Sequence, residues 1–342
     1  MSEWYLLAVF VAGSPGSMVP ACCYLRRLGF CCAIVRRKFK RRFDVESVEV
    51  TRCLLREVFP DDTKFRTLEY LLWLYLKSPA GEVIDANIDD SIGRLGHYAV
   101  VPQKWRVCGT ETSVALSLNT AVSERARGQG LFTRLAEETY EVAVGRGVQF
   151  VVGVANANST PGFAGKLRFR VLGPLEVRVF LGWSFHRVNE VSIDQLDEFA
   201  GLLETTDSAK RLSLTQRKWT VKELRWRLAN PEANYKVATV DGSLVVSTMS
   251  TVAGLRVSVI LKVFPRPGKE LVQLGGIARS IARSDRSIGS IYAGSNSGIS
   301  MRGVKLPMRF RPSPLNFIVR DLTGADRELR PDVFEFLDFD AY

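Results

Sequence analysis

The stretch "SERARGQGLF", residues 123–132, sets Gly128 and Gly130 between arginines and the apolar start of a helical pattern. Glycine in a helix costs about 1 kcal/mol relative to alanine. A pair of glycines at a helix entrance therefore marks a place where the backbone itself is used. The preceding run, "SVALSLNTAV", reads as a strand. After it, Leu131, Leu135, Ala136, Tyr140 and Val144 fall near helical spacing and predict an amphipathic helix from about Gly128 to Gly145. A glycine-rich turn from strand to helix aims backbone N–H groups outward, and the helix N-terminus adds partial positive charge. Together they make a phosphate cradle. Glycine permits a close approach, and Arg125 and Arg127 add charge-assisted donors.

Upstream, "VESVEVTRCLLREVF" and "TLEYLLWLYL" read as two helices, the second ending at the turn signal "KSPAG". The runs "EVIDANID" and "RLGHYAVVPQKWRV" then read as strands. Downstream, "VQFVVGVAN" is a nearly continuous β-branched run, as a buried strand has. The same order recurs in the second half. "VSIDQLDEFAGLLETT" reads as a helix, and Thr67, Leu71 and Trp73 correspond to Thr220, Leu224 and Trp226. Two strand-like runs follow, and then a helix in "ELVQLGGIARSIARSD". "SIYAGSNSG" echoes "VVGVANANS", with Asn296-Ser297 set opposite Asn158-Ser159. A period this long is not a solenoid repeat. It predicts a duplicated α/β domain. The matched tryptophans point to core packing rather than a ligand platform.

"LNTAVSERARGQGLFTRLAEETY" and "GVANANSTPGFAGKLRF" resemble the acetyl-CoA-binding segments of the GNAT family of N-acetyltransferases. The chain is similar in particular to a bacterial branch of two-domain GNAT proteins, some of them encoded with surface-polysaccharide genes. The resemblance covers about residues 45–335. It implies an α/β fold of two tandem GNAT-like domains, each a mixed, mostly antiparallel sheet flanked by helices. Residues 44–185 would be the acetyl-CoA-binding domain and 186–342 a second GNAT-like domain without the cradle. It implies that the strand ending at Ala121-Val122 and the strand at 149–155 splay apart around the pantetheine arm. Backbone groups from Asn119 through Ala121 to Val122 would hold the thioester end. Arg125, Arg127, Gly128, Gln129, Gly130 and Leu131 would take the pyrophosphate, and Asn156 or Asn158 would contact the arm. The implied reaction is direct attack of a primary amine on acetyl-CoA. The acceptor is a small molecule such as an amino sugar of a polysaccharide precursor. Such a reaction needs an oxyanion donor, a proton acceptor and a donor for the leaving thiolate.

Three departures from the family pattern bear on this. Ala164 stands where many members carry the tyrosine that protonates the thiolate, and Arg168 replaces a glycine. The second half has "FPRPGKELVQL" in place of the cradle: Gly268 is kept, but Pro265 and Pro267 crowd it and the paired glycines are gone. With no tyrosine at 164, His97 and Tyr98 in "LGHYAVVP" are the candidates for proton handling. Each also reads as a packed strand residue, since neighbours on a strand point to opposite faces. Glu137 and Glu138 read as a solvated helix face and Tyr140 as a core residue.

The bulk numbers limit the alternatives. At 342 residues and 46% hydrophobic content the chain can bury two cores. Its net charge of +11 is lopsided: residues 1–43 hold eight basic residues and one acid. The rest is near balance, which does not demand a polyanion, so no nucleic-acid partner is expected. Four of the six cysteines lie in "CCYLRRLGFCC", residues 22–32, without zinc-ligand spacing or a nearby histidine. No metal is expected. "WYLLAVFVAG" is too short to span a bilayer and has its basic cluster on the wrong side for a signal peptide. The expectation is a cytoplasmic protein in which 1–43 is a disordered basic extension or the product of a mis-assigned start. Oligomeric state is not legible. Two other functions stay open: a non-catalytic acyl-CoA-binding or regulatory module, and another tandem-GNAT acyl or aminoacyl transferase.

Overall fold

The computed structural model describes residues 44–204, 213–268 and 271–339. The basic, cysteine-rich stretch 1–43 lies outside them. Asp44 caps helix α1 (Val45–Val58) by accepting from the Ser47 N–H at 2.9 Å. Helix α2 (Glu69–Leu76) is apolar nearly all round and is buried accordingly, with Tyr70, Leu71, Trp73, Leu74 and Tyr75 all inside. Strands β1 (Ile84–Asp89), β2 (Arg94–Val107) and β3 (Thr110–Val122) form an antiparallel meander. Helix α3 (Leu131–Gly145) crosses over to β4 (Phe150–Ala155), which runs parallel to β3. Helix α4 (Thr160–Leu167) and strands β5 (Arg170–Pro174), β6 (Val177–Leu181) and β7 (Val188–Glu190) follow.

The second half repeats this plan. A 3₁₀ turn (Ile193–Phe199) and the short α5 (Ala200–Leu203) stand where one helix was expected. Among the described residues next come β8 (Gln216–Arg217) and helix α6 (Val221–Leu228). The strands β9 (Lys236–Val240), β10 (Ser243–Val252) and β11 (Leu255–Phe264) make a second meander. Then β12 (Val272–Gln273) and α7 (Leu274–Ser284) lead to β13 (Gly289–Asn296), which is parallel to β11. The chain ends through β14 (Ile299–Ser300), β15 (Val304–Lys305), β16 (Asn316–Asp321) and β17 (Val333–Glu335).

The two halves exchange strands. Strand β16, from the end of the chain, lies between β4 and β5 and pairs antiparallel with both. Strand β6, from the first half, pairs antiparallel with β13 and with β15. The result is one 15-stranded sheet, mostly antiparallel, with a core that runs from Trp105, Leu116 and Phe150 to Val246, Leu261 and Ile291. The repeated tryptophans meet where the halves join. Trp73 and Trp226 stack at 4.8 Å with 16° between the planes. Each indole N–H donates to the other's backbone carbonyl, at 2.7 Å and 3.2 Å. They are packing groups, as their matched sequence positions lead one to expect.

Helix α3 differs in two details from the reading of its sequence. It begins at Leu131 because both glycines adopt positive φ and Gly130 becomes the N-cap, and a 3₁₀ turn (Glu124–Ala126) separates it from β3. Its inner face is Leu131, Leu135, Ala136, Thr139, Tyr140 and Ala143; Val144 is 49% exposed. Thr139 can be buried because its hydroxyl donates back to the Leu135 carbonyl at 2.8 Å.

Candidate active site

Pairing between β3 and β4 covers only Val114–Leu116 against Phe150–Val152 and then stops. Against β2, β3 changes register between the pairs Ala99–Leu118 and His97–Ala121, a bulge in which Asn119 takes φ +52°. Beyond Leu116 the two parallel strands part around a cleft of about 350 Å³. Its floor is Leu116 to Val122 of β3 and Val154 of β4. Phe132 of α3 and Asn158, Ser159, Gly162 and Phe163 around the start of α4 form one side. Val58, Phe59 and Phe65 close another, and Phe339, from the far end of the chain, lines it as well.

The glycine turn leads into the helix whose Phe132 lines the cleft, with Gly130 two residues ahead of that ring; Arg125, Arg127, Gly128, Gln129, Gly130 and Leu131 do not themselves line it. Gly128 has φ +79° and Gly130 φ +72°. A β-carbon on either would meet nothing within 4 Å, so backbone conformation rather than crowding is what requires glycine there. Helix α3 has no side-chain cap, so its first-turn N–H groups are left to whatever binds in front of them. Arg125 is anchored to Asp90 at 2.7 Å and Arg127 to Glu124 at 3.0 Å; Gln129 reaches back to the Arg125 carbonyl at 3.4 Å. Both arginines stay substantially exposed.

Of the residues singled out in the sequence, Asn119, Ala121, Val122 and Asn158 line the cleft. Asn156 instead organises the entrance to α4: its Oδ1 accepts from the N–H groups of Asn158 (3.0 Å) and Ser159 (2.8 Å). Asn296 does the same for Gly298 at 2.9 Å. Asn296 therefore matches Asn156, and not Asn158 as the sequence echo had it.

His97 and Tyr98 are both fully buried and neither lines the cleft. They reach it through partners. His97 Nδ1 lies 2.7 Å from Asn87 Oδ1, an acceptor, so Nδ1 carries the proton and Nε2 accepts from the Tyr75 hydroxyl at 3.1 Å. The Tyr75 oxygen in turn accepts from Asn119 Nδ2 at 3.2 Å. Behind His97, Asn87 donates to Asp85. Burial drives the His97 imidazole well below its ordinary range, and Arg94 adds to this, so it is neutral. On the other face of β2, the Tyr98 hydroxyl sits 2.9 Å from Ser117 Oγ, in the cleft floor, and 2.5 Å from the Tyr140 hydroxyl. Burial pushes its phenol up to about 12. Tyr75 was not legible as a site residue, because it hides in the apolar run "TLEYLLWLYL".

Asp85 offers a test of this buried chain. Burial raises its carboxyl to about 6, against the hydrogen bond from Asn87 and the charges of Arg94 and Arg146. A folded-state value above the unfolded one means that the folded protein holds the proton more tightly. Stability from this group is present below about pH 4 and is lost as pH rises through about 6. Between pH 4 and pH 7, Asp85→Asn should gain up to about 3 kcal/mol on the wild type in denaturant unfolding. Parallel curves for the two proteins would refute the assignment.

Arg168, which replaces the family's glycine, closes α4 with φ +55° and is exposed. A left-handed residue at that position favours glycine. Arg168→Gly should therefore raise stability by about 0.5–1 kcal/mol, read from the unfolding midpoint. No gain would mean that the arginine side chain has a compensating role.

The equivalent gap in the second half is closed. Pairing of β11 with β13 ends at Ile260–Tyr292, and β17 then takes the vacated edge of β13. A β-carbon on Gly294 would lie 2.4 Å from the Phe334 carbonyl oxygen, so glycine is what lets β17 in. Val263 lies as far beyond its last paired residue as Asn119 does. Its N–H donates to Glu335 Oε1 at 3.3 Å and its carbonyl accepts from Asn296 Nδ2 at 3.2 Å.

Among the described residues no cluster of His, Cys, Asp and Glu is arranged to hold a metal, and no helix is long and apolar enough to cross a membrane. No protein-family model and no curated protein matches the sequence. Solved structures do match the fold. One is a conserved protein of unknown function from Enterococcus faecalis V583, a probable N-acyltransferase, at 11% identity and TM-score 0.56, covering 81% of this chain and 70% of that one. Another is a GCN5-related N-acetyltransferase from Anabaena variabilis, at 12% identity and TM-score 0.55, covering 81% and 71%. A third, from Kribbella flavida, has 11% identity and TM-score 0.53, covering 81% and 69%. With its parted parallel strands, bulged β3 and glycine-led α3, this chain has the fold of the GCN5-related N-acetyltransferases.

Proposed function

We propose that this chain is an acetyl-CoA-dependent N-acyltransferase acting on a primary amine of a small molecule. In this reading 44–185 and 186–342 are GNAT-like halves of which only the first binds the thioester. The observation that carries it is the contrast between the two gaps. The first is open and is lined by Phe132 of the uncapped, glycine-led helix α3. The second is filled by β17. The residues present fit an acyl-CoA. Backbone N–H groups from Arg127 to Leu131, with Arg125 and Arg127 beside them, would hold the pyrophosphate. Asn119 to Val122 and Asn158 would face the thioester end of the arm. The bound thioester supplies an electrophilic acyl carbon.

The chain's own residues orient that carbon and exclude water from it. Asn119 is pinned at the bulge through Tyr75, His97, Asn87 and Asp85, which fixes the backbone that faces the cleft. His97 and Tyr98 act as positioning groups. The first is held neutral and the second protonated, so neither changes charge through the working pH range. The resemblance on its own implies an amino sugar, which the apolar lining of the cleft does not favour; the protein is expected in the cytoplasm. A second reading, an acyl-CoA-binding module without turnover, draws on Ala164 and on the burial of both proton-handling candidates. Calorimetric titration of acetyl-CoA should give one site per chain with a micromolar Kd. Thiol release with an amine then separates the enzyme from the module. No heat of binding would end both readings.

A further inference from the structure

Resting on the acyl-transfer reading, we propose that the acceptor is a primary amine on an apolar body, aryl or alkyl, and that Asp62 is the carboxylate that meets its ammonium. Val58, Phe59, Phe65 and Phe339 give the cleft an apolar lining. Its rings are 1–6% exposed and held in place. Phe59 and Phe65 pack at 6.0 Å. Phe339 stacks on Phe334 at 5.3 Å, and its carbonyl accepts from Arg227 Nη2 at 3.0 Å. These side chains offer no donor or acceptor to a polyhydroxylated ring. Each hydroxyl brought against them gives up water without a replacement, which costs affinity. An apolar body gains from the same surface.

Among the described residues lining the cleft, Asp62 is the one carboxylate and Lys64 the one cation. Asp62 caps the short turn Thr63–Phe65, with Oδ1 accepting from the Lys64 N–H at 3.3 Å, so its position is set by backbone. Its Oδ2 is 3.4 Å from Lys64 Nζ, a long ion pair. That ammonium also lies 5.1 Å and 5.5 Å from the ring centres of Phe65 and Tyr70. A carboxylate accepts several hydrogen bonds, so an incoming ammonium can join Lys64 on Asp62. The amine gives up one proton. Its nitrogen then bonds the acyl carbon as the carbon–sulfur bond breaks. The nitrogen sheds a second proton, the sulfur takes one up, and one proton net passes to solvent.

The test is calorimetric titration of phenethylamine and of glucosamine into the full chain, alone and with saturating coenzyme A, followed by thiol-release kinetics with acetyl-CoA. Phenethylamine should bind at least tenfold tighter and be acetylated with at least tenfold higher kcat/KM. Asp62→Asn keeps the turn's cap and should raise the phenethylamine Kd and KM about tenfold, leaving coenzyme A affinity unchanged. Phe339→Leu should narrow the preference. Equal or tighter glucosamine binding, no binding of either amine, or an unaffected Asp62→Asn variant would overturn the proposal. Absence of coenzyme A binding would instead overturn the acyl-transfer reading, while the titrations without it still report which amine the cleft takes.

Discussion

Gly128→Glu should lose acetyl-CoA affinity by at least 100-fold, about 2.7 kcal/mol, while the protein stays folded. The residue sits at φ +79° with open space where a β-carbon would go. The fold therefore feels only the cost of a side chain in the left-handed region, about 1–2 kcal/mol. The ligand feels much more. A carboxylate there stands before the uncapped first turn of α3, where the proposed pyrophosphate needs the N–H groups and the positive end of the helix. Gly128→Ala separates the two effects. It carries the same backbone cost without the charge, so it should melt like the glutamate variant and bind within about tenfold of the wild type. Paired calorimetric and melting measurements decide. If glutamate and alanine both bind like the wild type, the turn is only a turn and the acyl-CoA site lies elsewhere. If both fail equally, conformation rather than charge is what the glycine protects.

The glycine turn was legible because it breaks a local rule: two poor helix formers stand at the mouth of a good helix. Local patterns also placed most of the first half, down to the span of β2. The strand exchange was not legible. "NFIVRD" in β16 carries a short apolar run, Phe317–Val319, like any buried strand, and nothing in it says that its neighbours are β4 and β5 from the far half of the chain. Pairing partners are chosen by long-range geometry, which periodicity does not encode. The same holds for the cleft. Phe339 is far from the glycines in sequence, and Tyr75 is masked by its apolar neighbours. His97 drew notice as a rare ionisable group in a strand, and its residue type alone does not tell a solvent-facing base from a buried neutral acceptor. Burial decides that, and burial is tertiary.

Lys262→Met should cost about 3–5 kcal/mol, a fall of about 10 °C in Tm for a chain of this size. The effect should reach the cleft of the other half. Lys262 Nζ lies 2.7 Å from Asp338 Oδ2 and 3.0 Å from Glu335 Oε2, with all three side chains at most 4% exposed. Burial alone would lower the Lys262 ammonium, but Asp338 and Glu335 outweigh it and hold it above its ordinary value. The carboxylates are otherwise met by neutral donors: Trp219 Nε1 at 2.8 Å and the Glu335 N–H at 2.7 Å on Asp338, and the Tyr292 hydroxyl at 2.9 Å on Glu335. Without Lys262 the remaining nearby cation, Arg217, bonds the Asp338 backbone carbonyl rather than its carboxylate, so the two buried carboxylates are left underpaired and protonating one of them relieves this. Burial already raises Glu335; the substitution raises it further. A raised folded-state value gives stability that is present at low pH and lost as pH rises, so the variant's deficit should be smaller at pH 5 than at pH 8. The segment this cluster anchors, β17 and the turn after it, fills the second gap and then presents Phe339 to the first cleft. Loosening it should therefore weaken ligand binding in a half of the protein that Lys262 never touches. Unfolding curves at both pH values, with a phenethylamine titration at 15 °C where the variant remains folded, test each step. A deficit below 1 kcal/mol, or one independent of pH, would mean that the cluster is not held by its charge. An unchanged titration alongside a large deficit would mean that Phe339 keeps its place without β17.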